Sequence, residues 1–227
     1  MQLLGREIKL VIFDLDGTLI DSTSLWAEID QQFFSKRNMK TPPNYGKEIA
    51  HLGLYNAAVL TKEKYLPNET VEDIINEWHQ AAIEAYSTRI PLKEHAAELL
   101  DLLKQLDVKL AVATANSKEL YEPCLARLDI AKYFEIVVDV NSCKNGKNSP
   151  EIYDKVASYF SLTRKEIAIA EDMLTALNTA YTNGYTVIGI YDKNTVKDKD
   201  ENRKCSHIFI ENYLDLIEMI KKENQIS

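Results

Sequence analysis

Short apolar runs alternate with amphipathic stretches over most of the chain. Each run has the continuous apolar character of a strand that is buried on both faces. The runs occupy residues 10–13, 109–114, 135–139, 167–170 and 186–190. Apolar positions at the spacing of one helix face occur in residues 92–106, 117–128, 152–160 and 174–182. This alternation predicts an α/β fold, a doubly wound, Rossmann-like core around a mainly parallel sheet.

One region interrupts the alternation, because residues 21–86 contain no strand-like run. The amphipathic stretches within it are residues 25–37, 47–64 and 71–86, and proline-containing turns separate them. We therefore predict an inserted α-helical domain at residues 21–87. The α/β core would then comprise residues 1–20 and 88–227.

A charged and polar run follows the last of these apolar runs. It covers residues 193–204, and its composition predicts a solvated loop. A further strand-like run at residues 206–210 and a last helix are expected after it.

Composition and charge exclude several classes of protein. Of the 227 residues, 45% are apolar and 27% are charged, and the formal net charge is −8 at pH 7. An acidic chain lacks the basic face that nucleic-acid binding requires, so we expect no nucleic-acid partner. No apolar run approaches the roughly 18 residues of a membrane span. The charged residues among the first nine argue against a signal peptide.

Cysteine and histidine positions suggest no further site. The cysteines Cys124, Cys143 and Cys205 show no C-x-x-C spacing, and we interpret them as free thiols in a reducing cytoplasm. The histidines show no metal-ligand spacing, although His51 and His79 lie in the insert, where contact with a ligand is an alternative to simple packing. We expect a monomer or a weak homo-oligomer, because core and insert can bury their own apolar faces.

The most specific string is Asp14-Leu15-Asp16-Gly17-Thr18, directly after the first strand. Alternate side chains of extended chain point the same way, so Asp14 and Asp16 are both expected in the crevice at the carboxyl end of the sheet. Gly17 lets the chain turn close to a ligand. Thr18 offers a hydroxyl and a backbone N–H. An Asp-Gly turn alone has a simple structural interpretation, but the five-residue string is far more specific.

Polar residues also follow later strands. Thr114 precedes Ala115-Asn116-Ser117 at the start of a helix, where a hydroxyl and free N–H groups suit a phosphate or simply cap the helix. Lys147 lies in a loop before another helix, and a lone loop lysine is usually solvated. Glu171 and Asp172 follow the fourth strand, where acids also cap helices.

Taken together, the order of these residues resembles the haloacid dehalogenase superfamily of phosphatases and phosphomutases. The resemblance spans almost the whole chain, since the insert matches that family's helical cap in position and length. It is closest to the branch of phosphoglycolate phosphatase-like and β-phosphoglucomutase-like proteins. Two strings depart from the family pattern. Met173-Leu174-Thr175-Ala176 follows Asp172 where relatives continue with Ser and then a Gly, and Lys147-Asn148-Ser149-Pro150 lacks the first proline of Lys-Pro-x-Pro.

The charge of the motif residues indicates a metal. Four acids in one crevice would face a single lysine, so a hard divalent cation with oxygen ligands is the natural complement, and we expect Mg²⁺. The resemblance implies that Asp14, the backbone carbonyl of Asp16 and Asp172 hold the ion. It makes Glu171 an outer or occasional ligand.

The resemblance also implies hydrolysis of a small phosphorylated metabolite through an aspartyl-phosphate. Asp14 would attack phosphorus, and Asp16 would act as the general acid and then the general base. The catalytic residues it implies are Asp14, Asp16, Thr114 and Lys147. The residues it implies for substrate binding are Thr18, Ala115 and Asn116, with Trp26 as a further candidate in the insert.

Two alternatives to a phosphatase stay open. The first is a sugar phosphomutase of the β-phosphoglucomutase type, whose members carry a histidine twelve residues after the nucleophile. Trp26 occupies that position here and could stack on substrate or, more simply, pack the insert. Because the histidine of the mutases is replaced, the sequence favours a phosphatase. The second alternative is a non-catalytic binding protein on the same scaffold.

Overall fold

The chain forms two compact units in the computed structural model, which describes residues 1–49 and 52–226. One unit comprises Met1–Thr23 and Ile90–Ser227, and the other comprises Ser24–Arg89. His51 lies outside the described residues. The assignment of the second unit as a cap stays a prediction.

The larger unit contains all the strands found in the described residues, together with helices α5 to α10. The strands are β1 Gln2–Leu3, β2 Arg6–Glu7, β3 Leu10–Phe13, β4 Lys109–Thr114, β5 Ile136–Asp139, β6 Ile167–Glu171, β7 Thr186–Ile190 and β8 Ile208–Ile210. The helices of the smaller unit are α1 Leu25–Ser35, α2 Tyr45–Ile49, α3 Gly53–Tyr65 and α4 Val71–Thr88. Those of the larger unit are α5 Ala96–Gln105, α6 Lys118–Arg127, α7 Glu151–Phe160, α8 Leu174–Thr182, α9 Lys199–Lys204 and α10 Tyr213–Glu223. None of the helices in the described ranges is long and apolar enough to cross a bilayer.

A six-stranded parallel sheet organises the larger unit, in the order β5-β4-β3-β6-β7-β8. The inner strand β3 pairs with β4 on one side and β6 on the other, so Phe13 lies between Val112 and Ala170. The residues of β3 and β6 are all buried, which explains their unbroken apolar character. The predicted α/β, Rossmann-like fold is confirmed.

Helices that follow the strands bury their apolar faces on this sheet. Ile152 and Val156 of α7 join Leu10, Ile12 and Ile169 of the strands in one buried cluster. Because Ile152 and Val156 are four positions apart, they share one face of α7. This packing fixes the carboxyl ends of the strands relative to the N-termini of the helices. The polar motif residues lie in the loops between them.

The smaller unit is helical throughout its regular structure, as the pattern predicts. Its buried residues follow helical spacing, with Ile29 and Phe33 on α1 and Ile74 and Trp78 on α4. The rings of Phe33 and Trp78 lie 5.5 Å apart. Thr70 caps α4 by accepting the backbone N–H of Asp73 at 3.1 Å.

Residues 193–204 are mostly exposed, as predicted, but the prediction of a loop is wrong. The segment forms a 3₁₀ turn at Lys193–Asp198 followed by α9. Asp192 begins the turn by accepting the backbone N–H of Asn194 at 2.9 Å, and Asn202 of α9 is completely buried. Polar contacts hold this segment in place, so it lacks the apolar periodicity by which sequence analysis finds a helix.

Candidate active site

Three acidic side chains meet at the carboxyl ends of β3 and β6. Asp14 follows β3, its backbone N–H donates to the carbonyl of Ala170 at 2.9 Å, and Glu171 and Asp172 end and follow β6. One carboxylate oxygen from each acid lies within 4.8 Å of the other two. The acids are only 7%, 1% and 4% exposed, respectively. The register of two neighbouring strands therefore concentrates negative charge in a buried site.

The turn after Asp14 requires a glycine. Gly17 has a φ of +74°, and a Cβ atom there would lie 2.6 Å from Oδ2 of Asp172. The hydroxyl of Thr18 donates to Oδ1 of Asp172 at 3.4 Å. Only a residue without a side chain lets the loop approach Asp172 this closely.

Lys147 supplies positive charge to the cluster. Its Nζ pairs with Oδ1 of Asp14 and, at 2.5 Å, with Oε1 of Glu171. The other carboxylate oxygen of Glu171 accepts the backbone N–H groups of Asp172 at 2.8 Å and Met173 at 3.0 Å. Both oxygens of Glu171 are thus occupied by protein donors. Among the described residues, no other lysine or arginine forms an ion pair with the three acids.

The pKa values express this imbalance of charge. Burial raises the pKa of Asp14 to about 7, although Lys147 opposes the shift. Burial, together with the charges of Glu171 and Asp14, raises the pKa of Asp172 to about 9. Burial lowers the pKa of Lys147, but the charges of Asp14 and Glu171 outweigh it and hold that pKa above its usual value. A buried cluster of this composition fits a divalent cation, because carboxylate oxygens are its preferred ligands.

Asp16 and the loop after β4 lie side by side. Asn116 donates a side-chain hydrogen bond to Oδ2 of Asp16. The backbone N–H of Asn116 also donates to Oγ1 of Thr114 at 3.1 Å, so the buried hydroxyl of Thr114 caps its own loop. Ala115, between them, is exposed. The structure thus brings Asn116 to Asp16, a contact that the sequence does not reveal.

Two further residues at the site were missed by sequence analysis. Asn202 donates from Nδ2 to the backbone carbonyl of Asp172 at 2.8 Å, and Oη of Tyr213 donates to the carbonyl of Thr18 at 2.9 Å. Oδ1 of Asn202 has no hydrogen-bond partner within the described ranges. Each of these side chains donates a hydrogen bond to a backbone carbonyl. Neither the residue type nor its spacing in the sequence predicts such a contact.

Trp26 lies on α1 of the helical unit and is 51% exposed. The interpretation that this side chain mainly packs the insert is at odds with its exposure. A contact with substrate stays a prediction for Trp26, as do the catalytic and substrate-binding roles of the core residues.

Comparisons with known proteins agree with the observed fold. A model of the haloacid dehalogenase-like hydrolases matches residues 11–190. The chain is 25% identical to a phosphorylated carbohydrates phosphatase of Thermotoga maritima, over 78% of this chain and 82% of that protein. It is also 25% identical to the phosphoglycolate phosphatase of Photorhabdus laumondii, over 82% of this chain and 81% of the other.

Solved structures share the fold at lower identity. A Thermotoga maritima protein provisionally named as a β-phosphoglucomutase has a TM-score of 0.84 and 22% identity, covering 95% of this chain and 99% of its own. The CbbY protein of Rhodobacter sphaeroides, solved with phosphate, has a TM-score of 0.74 and 18% identity, covering 92% and 96%. The family match spans most of the chain, from the second residue of β3 to the end of β7, which confirms the family identified from the sequence. The chain belongs to the haloacid dehalogenase-like hydrolases.

Proposed function

We propose that the protein is a Mg²⁺-dependent phosphatase that hydrolyses a small phosphorylated metabolite through an aspartyl-phosphate on Asp14. The observation that carries this proposal is the buried cluster of Asp14, Glu171 and Asp172 beside Lys147. The names of the relatives support it, because they include phosphatases of phosphorylated carbohydrates and of phosphoglycolate.

The magnesium site would be formed by one face of this cluster. Asp14, Asp172 and the backbone carbonyl of Asp16 would hold the ion, and its charge would stabilise the negative charge that develops on the transferring phosphate. Glu171 would contribute less directly, since Lys147 and two backbone N–H groups already occupy its oxygens. It positions Lys147 and the loop that carries Asp172.

Asp14 would act as the nucleophile. A carboxylate oxygen would form a bond to phosphorus while the bond from phosphorus to the leaving alcohol oxygen breaks. Lys147 contacts the same carboxyl group, so its positive charge lies where the phosphate oxygens would gather. Burial of Asp14 excludes bulk water from the nucleophile before substrate arrives.

Asp16 would move the proton. It would donate a proton to the leaving alcohol oxygen. It would then accept one from the water that attacks phosphorus, while the bond from phosphorus to Asp14 breaks and inorganic phosphate leaves. The side-chain amide of Asn116 holds the Asp16 carboxyl in one orientation. Thr114 keeps Asn116 there by accepting its backbone N–H.

Phosphate release from a panel of sugar phosphates and phosphoglycolate, measured with Mg²⁺ and with chelator, tests the proposal. Wild type should release phosphate only with Mg²⁺, and Asp14→Asn should lose at least about 10³-fold of that rate. Asp21→Asn, which changes an exposed acid nearby, is the matched control and should retain it. An active Asp14→Asn protein would refute the mechanism, whereas phosphate transfer that requires a bisphosphate primer would identify a mutase.

A further inference from the structure

The helical unit contains a cavity whose described lining residues all belong to that unit. Its volume is about 530 Å³, and helices α1 to α4 all contribute to its lining. Most of the lining is apolar, with Trp26, Leu54, Ala57 and Trp78 among its residues. Among the described lining residues, Asp30 alone is charged, and it places a carboxylate in these apolar surroundings.

Asp30 is a buried acid without a compensating partner. It is 8% exposed, and within the described ranges it has neither a hydrogen bond nor an ion pair. Burial raises its pKa to about 6, so the side chain is still mostly ionised at neutral pH. A buried carboxylate in this state is costly to the fold. A ligand that brings a positive charge would remove that cost.

Two indole rings border the same cavity. Trp26 lies one helical turn before Asp30 on α1, so their side chains share one face of the helix. Trp78 of α4 is buried and lies against Phe33, while the ring of Trp26 is half exposed. Indole faces attract organic cations through their quadrupole, and a carboxylate beside them supplies a full counter-charge.

We propose that this cavity binds the ammonium group of a small organic amine, with Asp30 as the counter-charge and Trp26 and Trp78 as aromatic walls. The lining argues against other occupants. A polyhydroxylated ligand would find few partners for its hydroxyl groups, because the described lining side chains offer only the Asp30 carboxylate and indole N–H groups, of which Nε1 of Trp78 is buried and unpartnered. A metal ion needs several oxygen ligands, and an anion would be repelled by Asp30.

The cavity would bind a free amine, because its described lining comes from the helical unit alone. Binding does not depend on the phosphatase proposal, because it needs neither Mg²⁺ nor Asp14.

Intrinsic fluorescence reports on this cavity selectively, because both tryptophans of the chain line it. We would titrate the full-length protein in chelator with choline and with its uncharged isostere 3,3-dimethylbutan-1-ol, and then with ethanolamine and butylamine. We expect a saturable change with at least one ammonium compound. The uncharged isostere should bind at least about tenfold more weakly than choline if choline is the responding compound. Equal binding of both, or no saturable response to any of the amines, would overturn the proposal.

Substitutions locate the binding. Asp30→Asn should weaken amine binding at least about tenfold, since the counter-charge is removed while the shape is kept. The melting temperature of Asp30→Asn should equal or exceed that of wild type, because the charge it removes is buried and uncompensated. Glu63→Gln removes an exposed charge from the same unit and should bind like wild type.

A second variant covers the case in which Asp30→Asn fails to fold. Trp26→Leu alters a half-exposed side chain, and Trp78 remains as the fluorophore. It should fold normally and bind the amine several-fold more weakly, as expected from the loss of one cation–π wall. Wild-type amine affinity in Trp26→Leu would contradict the aromatic role, and wild-type affinity in a folded Asp30→Asn would overturn the site.

Amine binding and phosphate release test separate proposals. Amine binding by a protein that releases no phosphate would count against the phosphatase and leave the cavity assignment standing. Phosphate release by a protein that binds no amine would overturn the cavity assignment and leave the phosphatase standing.

Discussion

The two units of the molecule bury acidic side chains in opposite ways. In the core, three carboxylates lie within reach of one another and share one lysine. In the helical unit, Asp30 is buried alone among apolar and aromatic side chains. The first arrangement suits a divalent cation with several oxygen ligands, and the second suits a single organic cation. The number of neighbouring acids thus decides which kind of positive charge each site would accept.

After the loss of the nucleophile Asp14, the largest effect is expected from removing the lysine of the core site. Lys147→Ala leaves the three acids of the cluster without their partner, so phosphate release at saturating Mg²⁺ should fall by about 10²–10³-fold. Steady-state phosphate release checks this prediction. Lys144→Ala, an exposed lysine of the same loop, is the control and should keep its activity. Equal rates in the two variants would show that Lys147 does not act on the substrate.

Gly17 tests how closely the motif loop must approach Asp172. Gly17→Ala adds a Cβ that would lie 2.6 Å from Oδ2 of Asp172, at a positive φ. The free energy of unfolding should fall by at least about 2 kcal/mol, from the clash and the backbone strain together. Gly184→Ala is the control, because its φ is also positive but nothing lies within 4 Å. The free energy of unfolding of Gly184→Ala should fall by only about 1 kcal/mol. Chemical denaturation of both variants would separate the effect of the clash from that of the backbone strain.

The pH dependence of stability tests the charge imbalance of the core. Burial raises the pKa of Asp14 to about 7 and that of Asp172 to about 9, both above the values of the unfolded chain. The folded state therefore holds more protons, so in chelator its melting temperature should fall as pH rises from 5 to 9. Mg²⁺ should raise the melting temperature most at the alkaline end. An Asp172→Asn variant should show a flatter pH profile in chelator, and a profile as steep as that of wild type would contradict the assignment.

A smaller effect is expected at Asn202, which holds the carbonyl of Asp172. Asn202→Leu leaves that buried carbonyl without its donor and loosens the loop that presents a metal ligand. The affinity for Mg²⁺, measured by calorimetry without substrate, should weaken by about tenfold. Asn178→Leu, an exposed position on α8, should bind Mg²⁺ as wild type does. Unchanged affinity in Asn202→Leu would show that the hydrogen bond does not position Asp172 for the metal.

Sequence analysis succeeded where one periodic pattern or one motif specifies the structure. The strand at residues 10–13 and the helix at 174–182 have the predicted limits, because unbroken apolar character and an Asn183-Gly184 stop define them. The acids after β3 and β6 come together because parallel strands in register bring their carboxyl ends to one edge. The motif order revealed the family before any geometry was available.

The residues that sequence analysis missed act through single polar contacts. Asn202 lies in a charged run that contains no apolar periodicity, and its burial follows from one hydrogen bond to backbone. Tyr213 begins α10 as an ordinary apolar position and reaches Thr18 only through the tertiary fold. Asp30 counts as a polar residue in the α1 pattern, yet it is buried. Such residues can be found only when the surrounding structure is known.

The central claim is that Asp14 becomes phosphorylated during turnover. Wild-type protein would be mixed with Mg²⁺ and a substrate identified in the release screen, quenched rapidly in acid, digested and analysed by mass spectrometry. We predict a phosphorylated peptide with the modification on Asp14, absent when chelator replaces Mg²⁺ and absent in Asp14→Asn. Substrate turnover without any phosphorylated Asp14, or with the phosphate on another residue, would contradict the account.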